Sequence, residues 1–170
     1  TVASLNDTAL VHAPGSAFKY SNHGIATVGA IVERVTGMPF ERAVRELVLE
    51  PLALRDSDFT DRASWEPRRA AGSMWTYDGR AIATPTFRFG YPPAAELRTT
   101  VIDLVAFARS WLPDARVRVL TPTTQEAMWS LPADTERGCG LGFFVRRFEG
   151  LREVGHDGAV YGFASALRAL

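Results

Sequence analysis

Residues 20–40 read YSNHGIATVGAIVERVTGMPF, and this stretch decides the fold of the region around it. Its apolar side chains recur at helical spacing, at Ile25, Val28, Val32 and Val35. Gly37 follows the last of them, and glycine is common just after the end of a helix. The pattern therefore predicts a helix from about residue 23 to residue 36.

A phenol and a carboxamide stand two residues apart where this helix begins, in Tyr20-Ser21-Asn22. Such a pair can serve acyl transfer, with Tyr20 moving a proton and Asn22 holding a substrate amide. Both residues also have structural interpretations, Tyr20 as a half-buried strand aromatic and Asn22 as the N-cap of the helix. A free phenol is a poor base near neutrality unless a cation stands close to it.

Three further helices are predicted downstream, each bounded by residues that start or stop helices. Their approximate ranges are 39–50, 100–112 and 121–129. Thr100 with Asp103 three residues later resembles a capping box. Residues 56–93 lack a helical pattern and are interpreted as a long irregular region with short strands and a turn at Asp78-Gly79.

The last third of the chain is rich in β-forming residues. Two strands, over 141–148 and 151–154, form a hairpin around Glu149-Gly150, and another strand covers 163–170. His156-Asp157-Gly158 lies between the hairpin and this last strand, either as a turn with a solvated histidine or as a site at a strand edge. The pattern predicts an α/β fold of α+β type, with a mainly helical part over residues 1–130 and antiparallel strands over residues 138–170. Because about three strands make a thin sheet, more sheet is expected outside these residues, so 1–170 is interpreted as one incomplete domain.

Composition excludes several classes of protein. The chain is 46% hydrophobic and 22% charged, as in ordinary soluble globular proteins. A formal net charge of zero gives no electrostatic footprint for nucleic acid. No apolar run is long enough to span a bilayer, and the first residues lack the pattern of a secretory leader. Cys139 is the only cysteine, so an internal disulfide is excluded and a structural thiol is expected.

Ser16-Ala17-Phe18-Lys19 matches S-x-x-K, the pattern of a serine nucleophile activated by a lysine one helical turn later. The chemistry needs a helix, because only there do residues i and i+3 share a face. Pro14-Gly15 precedes the match and its residues alternate, so we expect an extended segment and a coincidental match. The alternative is a helix that starts at Ser16 and runs through Asn22.

His156-Asp157-Gly158 carries a second candidate site. At a strand edge, His156 would face a substrate carboxylate or carbonyl, and Gly158 would let a substrate backbone approach. The Ala159 N–H could then stabilise an oxyanion. The histidines are scattered, at His12, His23 and His156, without metal-ligand spacing, so neither a metal nor another cofactor is expected.

These features together resemble the serine β-lactamase and penicillin-binding-protein-like superfamily. The branch they are most similar to contains the class C β-lactamase-related esterases and D-alanyl-D-alanine peptidases. The Tyr-x-Asn and His-x-Gly elements are fairly specific as a pair, and the resemblance covers roughly residues 10–168. The matching stretches, in the family's order, are Pro14-Gly15, Tyr20-Ser21-Asn22, the segment from Val32 to Phe40, Glu50-Pro51-Leu52, the segment from Leu97 to Phe107, Gly140-Leu141-Gly142-Phe143, Gly155-His156-Asp157-Gly158 and Gly162-Phe163.

The resemblance implies roles by position within a β-lactamase/transpeptidase-like fold. Tyr20 resembles the tyrosine that helps to shuttle the nucleophile's proton. Asn22 resembles the asparagine that contacts the substrate amide and the catalytic lysine. His156 stands where many members have the lysine of Lys-Thr-Gly and others have histidine, and Ala159 matches the residue that gives an oxyanion N–H. In the family, S-x-x-K lies well upstream of Tyr-x-Asn, which places Ser16 wrongly for that role.

The resemblance therefore implies a serine hydrolase that forms an acyl-enzyme on an ester, β-lactam or D-amino-acid peptide. The nucleophile is expected outside this chain, whose partners would be the missing parts of its own domain and a small-molecule substrate. These residues alone are expected to be inactive. The alternatives are a non-catalytic family member with a binding or scaffolding role, and an active dyad of Ser16 and Lys19. The family resemblance allows a periplasmic, secreted or cytoplasmic location.

Overall fold

A computed structural model of the chain describes residues 3–85, 88–131 and 137–170. The chain divides into two compact units. The first combines Thr1–Asp61 with Arg88–Val119, and the second combines Arg62–Phe87 with Leu120–Leu170. In the part of the chain that the structure describes, every helix is too short or too polar to cross a bilayer. That the chain is one incomplete domain, helical over 1–130 and sheet over 138–170, stays a prediction.

The described residues of the first unit form three α-helices, preceded by a short 3-10 helix over Ala3–Leu5. Helix α1 is Asn22–Thr36, α2 is Phe40–Val44, which continues as a π-helical turn over Arg45–Leu49, and α3 is Val101–Arg109. Gly37 ends α1 with a φ of 69°, a left-handed conformation in which its N–H donates to the Glu33 carbonyl. The predicted helix at 23–36 is therefore confirmed with its predicted cap. The core of this unit is formed by Ala26, Ala43, Leu49, Leu54, Phe59 and Trp111.

Helix α3 begins as its capping pattern predicts but makes a further contact that the pattern does not reveal. The Thr100 hydroxyl accepts a hydrogen bond from the Asp103 N–H at 3.2 Å. The Asp103 carboxylate, which a capping box would turn back to Thr100, instead accepts from the Asp56 N–H at 2.9 Å and the Ser57 hydroxyl at 2.7 Å. The side chain of Asp103 therefore fastens the segment after α2 to the start of α3.

The described residues of the second unit form two sheets, one α-helix and a 3-10 helix over Ala63–Arg68. Strands β1, Ser73–Trp75, and β2, Ala81–Ala83, form an antiparallel hairpin around the predicted turn at Asp78-Gly79. Helix α4 is Pro122–Trp129, the range that the Thr121-Pro122 signal predicts. A four-stranded antiparallel sheet has the order β3-β4-β5-β6. Its strands are β3, Arg137–Cys139, β4, Phe144–Phe148, β5, Leu151–Val160, and β6, Phe163–Ala169.

This sheet differs from the expected one in three ways, the first being that the strand predicted from residue 141 begins at Phe144. The sheet has four strands, because the Gly138-Cys139 pair lies in a short strand opposite Val145 and Phe144. The hairpin partner of β4 also runs on to Val160, well beyond the predicted end at residue 154. Helices and antiparallel strands are nevertheless mixed as the α+β prediction requires, so the predicted fold class is confirmed.

Candidate active site

The Ser16–Lys19 segment is not helical. Residues 14–16 form a turn, and the Ser16 hydroxyl donates to the Ala13 carbonyl at 2.8 Å. The segment then runs without regular structure until α1 begins at Asn22. The alternative of a helix from Ser16 through Asn22 is therefore wrong. Because Ser16 and Lys19 do not share a helical face, the S-x-x-K match lacks the geometry that its chemistry needs.

Tyr20 and Asn22 lie at the start of α1, Tyr20 just before the N-cap residue and Asn22 as the first residue of the helix. Tyr20 is 54% exposed, and Asn22 is exposed as the first helical residue. The expected N-cap role of Asn22 is wrong, because Ser21 fills it by accepting the Gly24 N–H at 3.0 Å. Ser21 has the extended backbone typical of an N-cap, with φ −151° and ψ 111°. The cap position is therefore filled without the Asn22 carboxamide.

His156 lies inside β5, so the structural alternative of a turn with a solvated histidine is wrong. The glycines around it look like turn signals in the sequence, but β6 pairs with the whole segment. The His156 Nδ1 lies 2.5 Å from the Asp157 carbonyl oxygen, and the imidazole stacks on the Phe144 ring with centroids 5.0 Å apart. In the tautomer with its proton on Nδ1, the ring donates to that carbonyl, which leaves Nε2 as an acceptor.

Gly158 and Ala159 belong to the part of β5 that has one neighbouring strand. Pairing with β4 ends where Phe144 lies opposite Gly155. From His156 to Val160, the described strands pair this segment with β6 alone, with Gly158 opposite Ser165 and Ala159 opposite Ala164. One edge of β5 is therefore left without a ladder partner among the strands that the structure describes. Such an edge can pair with an extended ligand.

Sequence reasoning missed a charged partner of this segment. Arg168 on β6 donates to both oxygens of Asp157, at 2.6 and 2.7 Å. These two hydrogen bonds, both from Nη2, are the main reason why the pKa of Asp157 lies below its ordinary value. The signal in the sequence is weak, because an arginine eleven residues from an aspartate has no local meaning until the strand register is known.

The five candidate residues fall into two sets. Tyr20 and Asn22 lie in the first unit, and His156, Gly158 and Ala159 lie along one strand of the second. Their functional roles stay predictions.

Cys139 has the environment of a structural thiol. Burial raises its pKa, and its thiol donates to the Gly140 carbonyl at 3.4 Å. A higher pKa lowers the fraction of reactive thiolate. Among residues 3–85, 88–131 and 137–170, no group of three or more His, Cys, Asp or Glu side chains is placed to hold a metal ion.

Comparison with known proteins decides the family. The family model described as Beta-lactamase matches residues 1–170. The chain belongs to the Beta-lactamase family. This family consists of serine hydrolases that act on ester, lactam or peptide substrates. The predicted resemblance to the serine β-lactamase and penicillin-binding-protein-like superfamily is therefore confirmed.

Curated relatives in this family include a penicillin-binding protein and an esterase. Penicillin-binding protein 4 of Amycolatopsis lactamdurans is 29% identical over 174 residues, which cover 92% of this chain and 45% of that protein. Esterase EstB of Burkholderia gladioli is 47% identical over 62 residues, which cover 36% of this chain and 15% of that protein. The chain thus spans less than half the length of these relatives.

Comparison with a solved structure confirms the fold. The octameric penicillin-binding protein homologue from Pyrococcus abyssi superposes with a TM-score of 0.82 and 25% sequence identity. The superposition covers 99% of this chain and 40% of that chain. The β-lactamase/transpeptidase-like fold predicted from the sequence motifs is therefore present.

Proposed function

We propose that the protein to which this chain belongs is a serine hydrolase that acts through an acyl-enzyme on esters, β-lactams or D-amino-acid peptides. The observation that carries the proposal is the one-sided segment of β5, where His156, Gly158 and Ala159 follow one another along a strand edge. A strand edge presents backbone N–H groups, and such groups stabilise the oxyanion of acyl transfer. Membership of a serine hydrolase family supports the same chemistry.

The proposed roles follow the matching motif positions. Tyr20 moves the proton of the nucleophile, and its exposed phenol at the start of α1 is accessible for that role. Asn22 holds the substrate amide, and its carboxamide is available because Ser21 serves as the N-cap. His156 contacts the substrate carbonyl or carboxylate, Gly158 lets the substrate backbone approach, and the Ala159 N–H binds the oxyanion.

The nucleophile in this proposal is a serine of the longer protein, outside residues 1–170. The absence of a helix at Ser16–Lys19 supports this assignment, because the S-x-x-K chemistry needs both side chains on one helical face. The chain also covers only 45% of one relative and 40% of one related structure. We accordingly propose that residues 1–170 are inactive by themselves.

A fluorophosphonate probe tests this proposal, because it forms a stable adduct with an activated serine. Intact mass is measured for the full-length protein, for residues 1–170 alone, and for full-length variants with Ser16→Ala and Tyr20→Phe. We expect a stoichiometric adduct on the full-length protein, unchanged labelling with Ser16→Ala, slower labelling with Tyr20→Phe, and no adduct on residues 1–170. An adduct mapped to Ser16 would refute the placement of the nucleophile. No adduct on the full-length protein would favour a non-catalytic role.

A further inference from the structure

Four charged side chains form a continuous ladder across strands β4, β5 and β6. Arg146 donates to both carboxylate oxygens of Glu153, at 2.6 and 3.1 Å. The Nε of Arg168 lies 3.4 Å from Glu153, and its Nη2 donates to both oxygens of Asp157 at 2.6 and 2.7 Å. The ladder therefore ends on the middle residue of His156-Asp157-Gly158.

The strand register explains why one arginine reaches two carboxylates. Arg168 lies opposite Gly155, so Glu153 and Asp157 are its diagonal neighbours on the same face of β5. A Cβ on Gly155 would lie 3.0 Å from the Cδ of Arg168 and would collide with the Leu167 carbonyl oxygen. The missing side chain of Gly155 thus leaves the space across which Arg168 extends.

The charge of Asp157 lies close to the proposed oxyanion donor. Asp157 and Ala159 are two residues apart on one strand, a separation of roughly 7 Å along the backbone. Acyl transfer places a negative charge on the substrate oxygen at the Ala159 N–H. An unpaired carboxylate two residues away on the same strand would repel this charge, whereas a carboxylate paired with a guanidinium presents little net charge.

We propose that Arg168 is a positioning residue for acyl transfer, which neutralises and holds Asp157 so that its carboxylate does not oppose the oxyanion at Ala159. This inference rests on the proposed function. Arg168 acts through Asp157 and not on the substrate itself. Arg146 supports the arrangement by pairing with Glu153, which leaves the Arg168 guanidinium directed mainly to Asp157.

The experiment measures hydrolysis of the neutral ester p-nitrophenyl butyrate by the full-length protein. The variants are Arg168→Gln, Asp157→Asn and the combination of both, with Arg147→Gln as the control. Arg147 is a suitable control because it also lies in the sheet, on β4, but donates to the Gly150 carbonyl and not to Asp157. Circular dichroism and thermal unfolding establish that each variant is folded.

We expect Arg168→Gln to lower kcat by about 10-fold with KM within about twofold of the original value, because a neutral ester does not feel the freed charge on binding. The combined variant should recover to within about threefold, since it removes the charge that Arg168 masks. High salt should reduce the deficit of Arg168→Gln, because screening at about 1 M acts over roughly 3 Å. Arg168→Lys, which keeps the charge, should retain most of kcat and provides the comparison if Arg168→Gln does not fold.

Two failures are distinguishable. If the unaltered full-length protein neither hydrolyses the ester nor takes up fluorophosphonate, the proposed function fails, and with it a role for Arg168 in acyl transfer. If that protein is active but Arg168→Gln has full kcat, or the combined variant is as slow as Arg168→Gln, only the role of Arg168 is refuted. A combined variant as slow as Arg168→Gln would indicate that Arg168 merely holds the strands together.

Discussion

The carboxylate of Asp103 should be one of the most stabilising polar groups of the first unit. Asp103 is 7% exposed, and it accepts hydrogen bonds from the Asp56 N–H and from the hydroxyl of Ser57, which is 2% exposed. Replacing Asp103 with alanine leaves one buried donor, the Ser57 hydroxyl, and one part-buried donor, the Asp56 N–H, without this acceptor. The Ser57 hydroxyl keeps a contact of 2.7 Å with the Thr99 hydroxyl, which reduces the loss.

The expected loss in the free energy of unfolding follows from these hydrogen bonds. A buried donor left without its acceptor costs about 1–3 kcal/mol, so Asp103→Ala should lower the free energy of unfolding by about 3 kcal/mol. Ser57→Ala removes one of the two bonds and should cost about 1–2 kcal/mol. The two substitutions break the same bond, so the double variant should cost less than the sum by about 1 kcal/mol. The exposed Asp114, just after α3, provides a control whose replacement by alanine should change stability by less than about 0.5 kcal/mol.

Urea unfolding of the full-length protein, followed by far-ultraviolet circular dichroism, measures all four variants. Asp103→Ala should also lower the melting temperature, with the four variants in the same rank order as for the loss of unfolding free energy. The reasoning is refuted if Asp103→Ala costs less than about 1 kcal/mol, or if the effects of Asp103→Ala and Ser57→Ala simply add. Either result would mean that the Ser57–Asp103 bond contributes little in solution.

Two further predictions concern ion pairs. Arg45→Met should lower the free energy of unfolding by about 1–2 kcal/mol, because Arg45 pairs at 2.7 Å with an Asp58 side chain that is 5% exposed. The control Arg42→Met breaks an exposed i,i+4 pair with Glu46 and should cost less than about 0.5 kcal/mol. Equal costs in urea unfolding would contradict this prediction. The hydrogen bond from Arg152 lowers the pKa of Glu126, so its stabilisation is present above the unfolded pKa of about 4.3 and is lost as the pH falls through the folded value. Melting temperatures of the protein and its Glu126→Gln variant should therefore differ slightly at pH about 6 and converge at pH about 2–3, and a difference independent of pH would contradict the assignment.

Helix boundaries were largely predictable because they depend on neighbours in the sequence. Helix α4 starts at Pro122 and ends at Trp129, as its Thr121-Pro122 signal indicates, with the Thr121 hydroxyl capping the Thr124 N–H. Helix α1 ends at the predicted Gly37. Both signals act over three or four residues, and no distant partner is needed to interpret them.

The candidate site was predictable in its residues but not in its setting. The motif positions of Tyr20, Asn22 and His156 identified the family, which the family comparison confirms. The surroundings of these residues were not predictable, because neighbouring residues compete for the same structural position. Ser21 and Asn22 are both good N-cap residues, and the structure selects Ser21.

The sequence by itself therefore determined the family, the boundaries of α1 and α4 and the hairpin turn at Glu149-Gly150, because each rests on a local pattern or a motif. The end of α3 was predicted less well, since the helix ends at Arg109 and not at residue 112. Only the tertiary structure decided that His156-Asp157-Gly158 lies within β5 and that Asp157 is paired with Arg168. It also decided that Asp103 binds a segment 47 residues away. The physical reason is common to these cases: a carboxylate or a strand takes its partner from whichever distant segment the fold brings beside it.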